Sequence, residues 1–362
     1  MPDRPDAGGP GTEAILAPFR ELNDDLRIVI EDAAGNRVTG TTADAPPPTV
    51  VARDIAAGPF SGGRVVAWGT LAETRLAEAS IGSLAVALGI AHTVGRGGIA
   101  DIAGARLIDD ELALGRQLQR SFVGLVGPAV PGYDLACYYE QAHQVGGDFF
   151  DVFRRLRRGR PLSVVIADVT GKGVAAALLM AFARPLIHAA VDNSIGPADA
   201  LERTNRVLLE RRSSLFITAL CGSLTLSTGR LRVANAGHES PLLVRRDGSP
   251  IEPIEGSGPL LGAFAALNLG ESVTDLAPGD IAVFYTDGVT DAQSLTGERF
   301  EDARLFEAIE AVRSGSASDV VESIRTSVER FQGGATPADD ITIVAVGRRK
   351  GGDRRRAVKP AA

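Results

Sequence analysis

The sequence predicts an α+β protein built on antiparallel sheets, and three observations carry that reading. From Gly132 onward, eight short segments are rich in Val, Ile, Phe and Tyr and are bounded by Gly, Asp or Pro, as strands are. Several fall in hairpin order: Leu224–Arg232 crosses a Ser-Thr-Gly turn, and Leu243–Glu252 crosses Arg-Asp-Gly-Ser. Helical patterns arrive in pairs, whereas a doubly wound parallel sheet would place one after each strand.

In chain order, the strand segments are Leu135–Tyr139, Phe149–Phe153, Leu162–Ala167, Phe216–Leu226, Arg230–Ala234, Pro241–Val244, Ile281–Tyr285 and Ile341–Val346. Helical spacing covers Val174–Asp192, Ala198–Arg211, Phe300–Arg313 and Ser318–Phe331. Ahead of them, residues 1–24 read as a polar, Pro- and Gly-bearing tail. Residues 25–97 read as a small α/β unit, with strands near Leu26–Glu31, Arg37–Thr39, Val50–Arg53 and Val65–Trp68 before a helix over Leu71–Arg96. Its layout looks like a reduced PAS- or GAF-type sensory domain. A linker helix follows within 98–124, where Leu107, Leu114, Leu118 and Phe122 make a narrow apolar stripe. The second domain spans 125–347, and 348–362 is a basic tail expected to be disordered. The apolar run Ile81–Ala91 is broad enough to call for a partner, so the helices of 71–122 are expected to form a homodimer that orients the segment Ser121–Pro128.

Composition narrows the function. The chain has 362 residues, 44% hydrophobic and 23% charged, which is ordinary for globular domains. Its 38 basic and 45 acidic residues leave a net charge of −7, which argues against a phosphate-backbone clamp for nucleic acid. Cys137 and Cys221 are its 2 cysteines, and they can build neither a disulfide framework nor a zinc site. No signal peptide or membrane-spanning run is evident, so a cytoplasmic protein without membrane insertion is expected.

One pattern repeats in the second domain: an apolar strand meets an Asp beside a Gly. Val145-Gly146-Gly147-Asp148 opens one strand, and Ile166-Ala167 runs into Asp168-Val169-Thr170-Gly171. Tyr285-Thr286 runs into Asp287-Gly288, and Asp339-Asp340 directly precedes Ile341–Val346. Any one of these alone reads as a turn. Together they read as a shared acidic pocket, whose mutual repulsion divalent cations would relieve, and all-oxygen ligation favours Mg²⁺ or Mn²⁺.

VGGDFFD at 145–151, ADVTGKG at 167–173, ANAGH at 234–238, YTDGVTDA at 285–292 and ADDITIVAV at 338–346 together resemble the SpoIIE/RsbU branch of the PPM protein phosphatases. ELALGRQLQRSF at 111–122 is similar to the helix preceding the catalytic domain in that family, so the resemblance covers about 111–347. It implies an αββα sandwich and a metal-dependent serine/threonine phosphatase with two Mn²⁺ or Mg²⁺ ions. By the same resemblance Asp168 bridges both ions and the Val169 carbonyl binds the second. Asp287 and Asp339 hold the first, Asp148 serves the second directly or through water, and Asp340 is the runner-up for the C-terminal ligand. The implied substrate is a phosphorylated anti-sigma-factor antagonist of the STAS fold, in a partner switch that frees a sigma factor. The alternatives are a non-catalytic phosphoprotein-binding module and another two-metal hydrolase such as a phosphodiesterase.

Three further features read as structural. Gly171-Lys172-Gly173 fails the P-loop pattern, because Ile166 and Gly173 occupy positions needing Gly and Ser/Thr. His238 is assigned a hydrogen-bonding role in ANAGH. His92, His143 and His188 have no ligand spacing.

Overall fold

The computed structural model describes residues 27–31, 37–40, 51–54, 64–68, 115–117, 119, 125–126, 130–154, 161–210 and 215–350. The expected tail 1–24, the helix 71–96, most of the helix within 98–124 and the segment 351–362 lie outside them. Two compact units are distinguished: Met1–Phe122 with Ala177–Ala190, and Val123–Ala176 with Val191–Ala362.

The first unit contains a four-stranded antiparallel sheet of β1 (Arg27–Glu31), β2 (Arg37–Gly40), β3 (Val51–Asp54) and β4 (Arg64–Trp68), in the order β2-β1-β4-β3. Its strands fall where alternating Val and Ile predict them. Most of α1 (Val174–Asn193) also belongs to this unit. Among the described residues α1 alone is long and apolar enough to cross a membrane, yet it is mostly buried inside the protein, as a core helix is.

The second unit holds two sheets. One has the order β13-β10-β9-β8-β7-β5, from β5 (Leu125–Val126), β7 (Phe149–Arg154), β8 (Leu162–Val169), β9 (Ile217–Thr225), β10 (Arg230–Ala236) and β13 (Ser272–Asp275). The other has the order β12-β11-β14-β15-β6, from β6 (Tyr133–Glu140), β11 (Leu242–Val244), β12 (Glu252–Pro253), β14 (Ile281–Tyr285) and β15 (Ile341–Arg348). All pairings are antiparallel except β5 with β7. Both expected hairpins form: Thr225 pairs with Arg230, and Leu243 with Glu252.

Side-chain alternation assigns each face. On β15, Val344 and Val346 point between the sheets, where they meet Phe150, Val164, Ile166, Leu220 and Phe284. Ile341, Ile343 and Ala345 point the other way, against Leu305 and Ile309 of α3 (Glu301–Glu310) and Val320, Ile324 and Val328 of α4 (Ala317–Gln332). The period of two thus places one strand in two cores. α2 (Pro197–Glu210) covers β9 and β10, burying Ala200, Leu201 and Leu208. The result is helix, sheet, sheet, helix. α4 is bounded by local chemistry: Ser316 and Asp319 form a reciprocal capping box, and Gly333 ends the helix at φ 59°.

Candidate active site

Antiparallel pairing delivers the acidic residues to one edge of the sandwich. β7 begins just after Asp148, and β8 ends at Asp168-Val169; because Phe149 pairs with Ala167, the two aspartates come out side by side. β14 ends before Thr286-Asp287 and β15 begins after Asp339-Asp340, with Tyr285 paired to Ile343. Four strand ends, two from each sheet, therefore meet.

Asp148, Asp168, Asp287, Asp339 and Asp340 are all brought together. Asp148 feels the charges of Asp168 and Asp340, and Asp168 feels those of Asp287, Asp339 and Asp340. Burial first, and then these neighbours, holds the Asp148, Asp168 and Asp287 carboxyls above the ordinary aspartate range. Burial also raises Asp340, against the pull of the N–H groups it accepts. Among the described residues, no lysine or arginine forms an ion pair with any of the five.

Two carboxylates cross between strand ends in opposite directions. Asp340 Oδ1 accepts the N–H of Ala142 at 2.9 Å, and its Oδ2 accepts those of Gly147 at 2.9 Å and Asp148 at 3.4 Å. Asp148 Oδ2 accepts the hydroxyls of Thr286 at 2.8 Å and Thr342 at 2.6 Å. These approaches require glycine: a Cβ on Gly146 would stand 2.0 Å from Asp340 Oδ2, and one on Gly288 would stand 1.9 Å from the Asp340 carbonyl oxygen. A Cβ on Gly147 would lie 3.0 Å from the Val169 carbonyl oxygen and 3.3 Å from Asp168 Oδ1. Val169 is thus beside the cluster as well.

The donor set was tested against a divalent cation. As the side chains stand, no three His, Cys, Asp or Glu groups among the described residues converge to grip one ion. The chemistry of the donors fits: they are carboxylates and a backbone carbonyl, crowded, with Asp148 and Asp340 buried, and without an ion-pair partner among the described residues, which is the demand of a hard ion such as Mg²⁺ or Mn²⁺. Not all five are free to turn toward one. Asp340 has both oxygens engaged by amides, whereas Asp339 accepts only the Asp340 N–H, at 2.9 Å.

The remaining residues fall outside this cluster or at its rim. His238 N–H donates to Asn235 Oδ1 at 2.8 Å, the Asn235 amide donates back to the His238 carbonyl at 2.8 Å, and His238 Nδ1 meets Thr218 Oγ1 at 2.8 Å. With burial holding its pKa down to about 4, this imidazole is a neutral strut closing the turn after β10. Lys172 donates from Nζ to the Ala338 carbonyl at 3.0 Å, tying the loop after β8 to the one before Asp339. Cys221 is buried and Cys137 half-buried, and neither forms a disulfide. Sequence reasoning missed Thr286 and Thr342, although each stands one or two residues from a singled-out aspartate. It also missed half-buried Glu239, raised by burial and by the charges of Asp287, Asp302 and Asp291.

Two packed antiparallel sheets between helices, with a crowded carboxylate edge, define the architecture of the PPM-type phosphatases. Among solved structures, the SiaA-PP2C domain of Pseudomonas aeruginosa shares that fold at a TM-score of 0.60 and 21% identity, over 69% of this chain and 100% of that one. The RsbU and RsbW domains of Rv1364c from Mycobacterium tuberculosis match at a TM-score of 0.53 and 28% identity, over 63% of each chain. The family model for Stage II sporulation protein E (SpoIIE) matches residues 158–349, and the chain belongs to that family, within the SpoIIE/RsbU branch. Protein IcfG of Synechocystis sp. is 29% identical over 265 residues, 65% of this chain but 41% of that protein. Phosphoserine phosphatase RsbU of Bacillus subtilis is 26% identical over 243 residues, 67% of this chain and 71% of that protein. The chain therefore spans less than half the length of the first of these relatives.

Proposed function

We propose that this chain is a metal-dependent protein serine/threonine phosphatase of bacterial signalling, using two Mn²⁺ or Mg²⁺ ions. The observation that carries the reading is the gathering of five carboxylates at four strand ends, near enough to feel one another's charge, with no ion pair to a lysine or arginine among the described residues. The name borne by the Bacillus subtilis relative, a phosphoserine phosphatase, supports the same class. The substrate we favour is a phosphoserine or phosphothreonine on a STAS-type anti-sigma-factor antagonist, and cytoplasmic partner switching fits the pairing of RsbU and RsbW domains in the Mycobacterium tuberculosis neighbour.

When bound, the ions supply neutralisation of phosphoryl charge and a lowered pKa for the attacking water. The residues of this chain hold and orient them. Asp168, central to the cluster, would serve both ions, and the adjacent Val169 carbonyl would serve the second. Asp287 and Asp339 are assigned the first ion, and Asp148 the second. Asp339 is preferred over Asp340 because the amides of Ala142 and Gly147 already occupy the Asp340 oxygens. No cysteine or serine nucleophile is called for, which agrees with Cys137 and Cys221 lying within strands.

The test is hydrolysis of p-nitrophenyl phosphate and of a phosphoserine-bearing STAS protein by Asp168→Asn and Asp287→Asn. Each is expected to lose Mn²⁺-dependent turnover by at least about a hundredfold with an unchanged circular dichroism spectrum. Turnover at the wild-type rate in either variant overturns the assignment.

A further inference from the structure

Asp148 is held differently from the other four carboxylates. Its Oδ2 receives two hydroxyl protons, from Thr286 at 2.8 Å and Thr342 at 2.6 Å, and all three residues are buried. A carboxylate oxygen has two in-plane lone pairs, and these hydroxyls fill both. The Thr286 hydroxyl is itself oriented, because its oxygen accepts the Thr342 N–H at 3.0 Å, which turns its proton toward Asp148. The backbone locks the pair further, since Thr286 N–H donates to the Thr342 carbonyl at 3.1 Å. Asp168 lies within hydrogen-bond reach of the same carboxyl group. With Oδ2 filled, that contact falls to Oδ1, which is the Asp148 oxygen facing the cluster and the one an ion there would take.

We infer that Thr286 and Thr342 set the ion selectivity of the site: by saturating Oδ2 they make Asp148 a one-oxygen donor, which suits a small octahedral ion and disfavours Ca²⁺. The inference rests on the two-ion reading proposed above. Its physical basis is the difference between the ions. Ca²⁺ gathers about 6–8 oxygens and readily takes a carboxylate through both, while Mg²⁺ holds to about six in strict octahedral geometry. A carboxylate with one oxygen withheld serves the second kind of ion and starves the first. Removing a hydroxyl returns a lone pair to Oδ2 and lets the carboxylate turn both oxygens to a metal. Threonine to valine does this at nearly constant shape. Threonine to serine keeps the proton and loses only a methyl group.

The experiment titrates the metal-stripped full chain with Mn²⁺ alone and with Ca²⁺ alone, by calorimetry, in the wild type and in Thr342→Val, Thr286→Val, Thr342→Ser and Thr286→Ser. The wild type is expected to favour Mn²⁺. Each valine variant is expected to narrow the ratio of Ca²⁺ to Mn²⁺ dissociation constants by about tenfold or more, and each serine variant to stay within about threefold of wild type. A valine variant of native circular dichroism whose ratio matches wild type overturns the inference. So does one that weakens both ions equally, which is what a merely structural role would do. Where a valine variant does not fold, the cysteine variant at the same position replaces it, because a thiol donates only weakly and the ratio must still narrow. A wild type that binds neither ion overturns the two-ion reading itself and the inference with it, an outcome distinct from a wild type that binds Mn²⁺ with selectivity the threonines do not alter.

Discussion

The acidic edge of the sandwich and the outer face of α3 and α4 treat negative charge in opposite ways. On the helical face, carboxylates are answered locally. Arg325 reaches both Glu322 and Glu329, Arg313 pairs with Glu310, and Arg304 lies 4.6 Å over the Phe331 ring. Glu310 and Glu322 are accordingly held below the usual glutamate range by the guanidinium beside each. At the edge, Asp148, Asp168 and Asp287 move the other way, raised by burial and by one another. The helical face has settled its charges within the chain. The edge has left them unsettled, and its geometry is held by amides, hydroxyls and glycines.

The largest effect expected from breaking that contrast comes from crowding the edge. A Cβ on Gly288 would stand 1.9 Å from the Asp340 carbonyl oxygen and 2.8 Å from its carbon, so backbone and not a side-chain tip must move. Gly288→Ala is expected to cost about 3–5 kcal/mol in urea unfolding, or to prevent folding, by forcing β14 and β15 apart where Thr286 and Thr342 meet. The control is Gly297→Ala, where a Cβ meets nothing within 4 Å and only the φ of 83° resists. A Gly288→Ala protein as stable as the control would show that the edge is far more yielding than its packing implies.

Next in size is the charge repulsion itself. Burial, Asp287 and Asp339 push the Asp168 carboxyl up to about 7, well above its unfolded value. A carboxyl raised on folding binds more protons in the native state. Its contribution to stability is therefore present at low pH and lost as pH rises through the folded value. Without metal, Asp168→Asn removes that penalty. The variant is expected to exceed the wild type in stability at pH 8 by on the order of 2 kcal/mol, and the gap is expected to close toward pH 5. Added Mn²⁺ reverses the order, stabilising the wild type and leaving the variant little changed. Thermal unfolding at both pH values, with and without Mn²⁺, reads all four cases. A metal-free variant less stable than wild type at pH 8 would mean the cluster is not self-repelling.

Much of this edge is legible in the sequence, and what is not has a physical reason. Asp148, Asp168, Asp287 and Asp339 announce themselves because each stands where an apolar run begins or ends, Asp148 and Asp287 directly beside a glycine. Their convergence follows from antiparallel pairing alone. The threonines do not announce themselves: Thr286, just past β14, and Thr342, within β15, are ordinary threonines until a carboxylate from the other sheet arrives between them. The roles of Asp339 and Asp340 are likewise invisible in a doublet, because they are separated only by the N–H groups of Ala142 and Gly147, about 190–200 residues earlier. In the fold, β13 and β5 escape sequence reading for a different reason. Ser272–Asp275 is a polar, half-exposed edge strand and Leu125–Val126 is two residues long, so neither carries an apolar pattern. The main strands of both sheets are read correctly because most are rich in Val, Ile, Leu, Phe or Tyr and are bounded by Gly, Asp or Pro.

The smallest expected effect lies on the helical face. Arg325 pairs with Glu322 and Glu329 one turn away on either side, and its guanidinium sits 5.9 Å from the centre of the Tyr138 ring. Two ion pairs on one guanidinium suggest a strong lock, yet both glutamates are exposed, and water screens such pairs while the long side chains lose freedom in making them. Arg325→Ala is therefore expected to lower stability by less than about 1 kcal/mol, and that loss is expected to shrink further in 1 M salt. Mn²⁺ affinity is expected to stay at the wild-type value, because the edge borrows no charge from this face. Urea unfolding at low and high salt gives the first quantity and calorimetric titration the second. A loss of several kcal/mol, or a changed Mn²⁺ affinity, would show that the two faces are electrostatically one system, and the contrast between settled and unsettled charge would have to be abandoned.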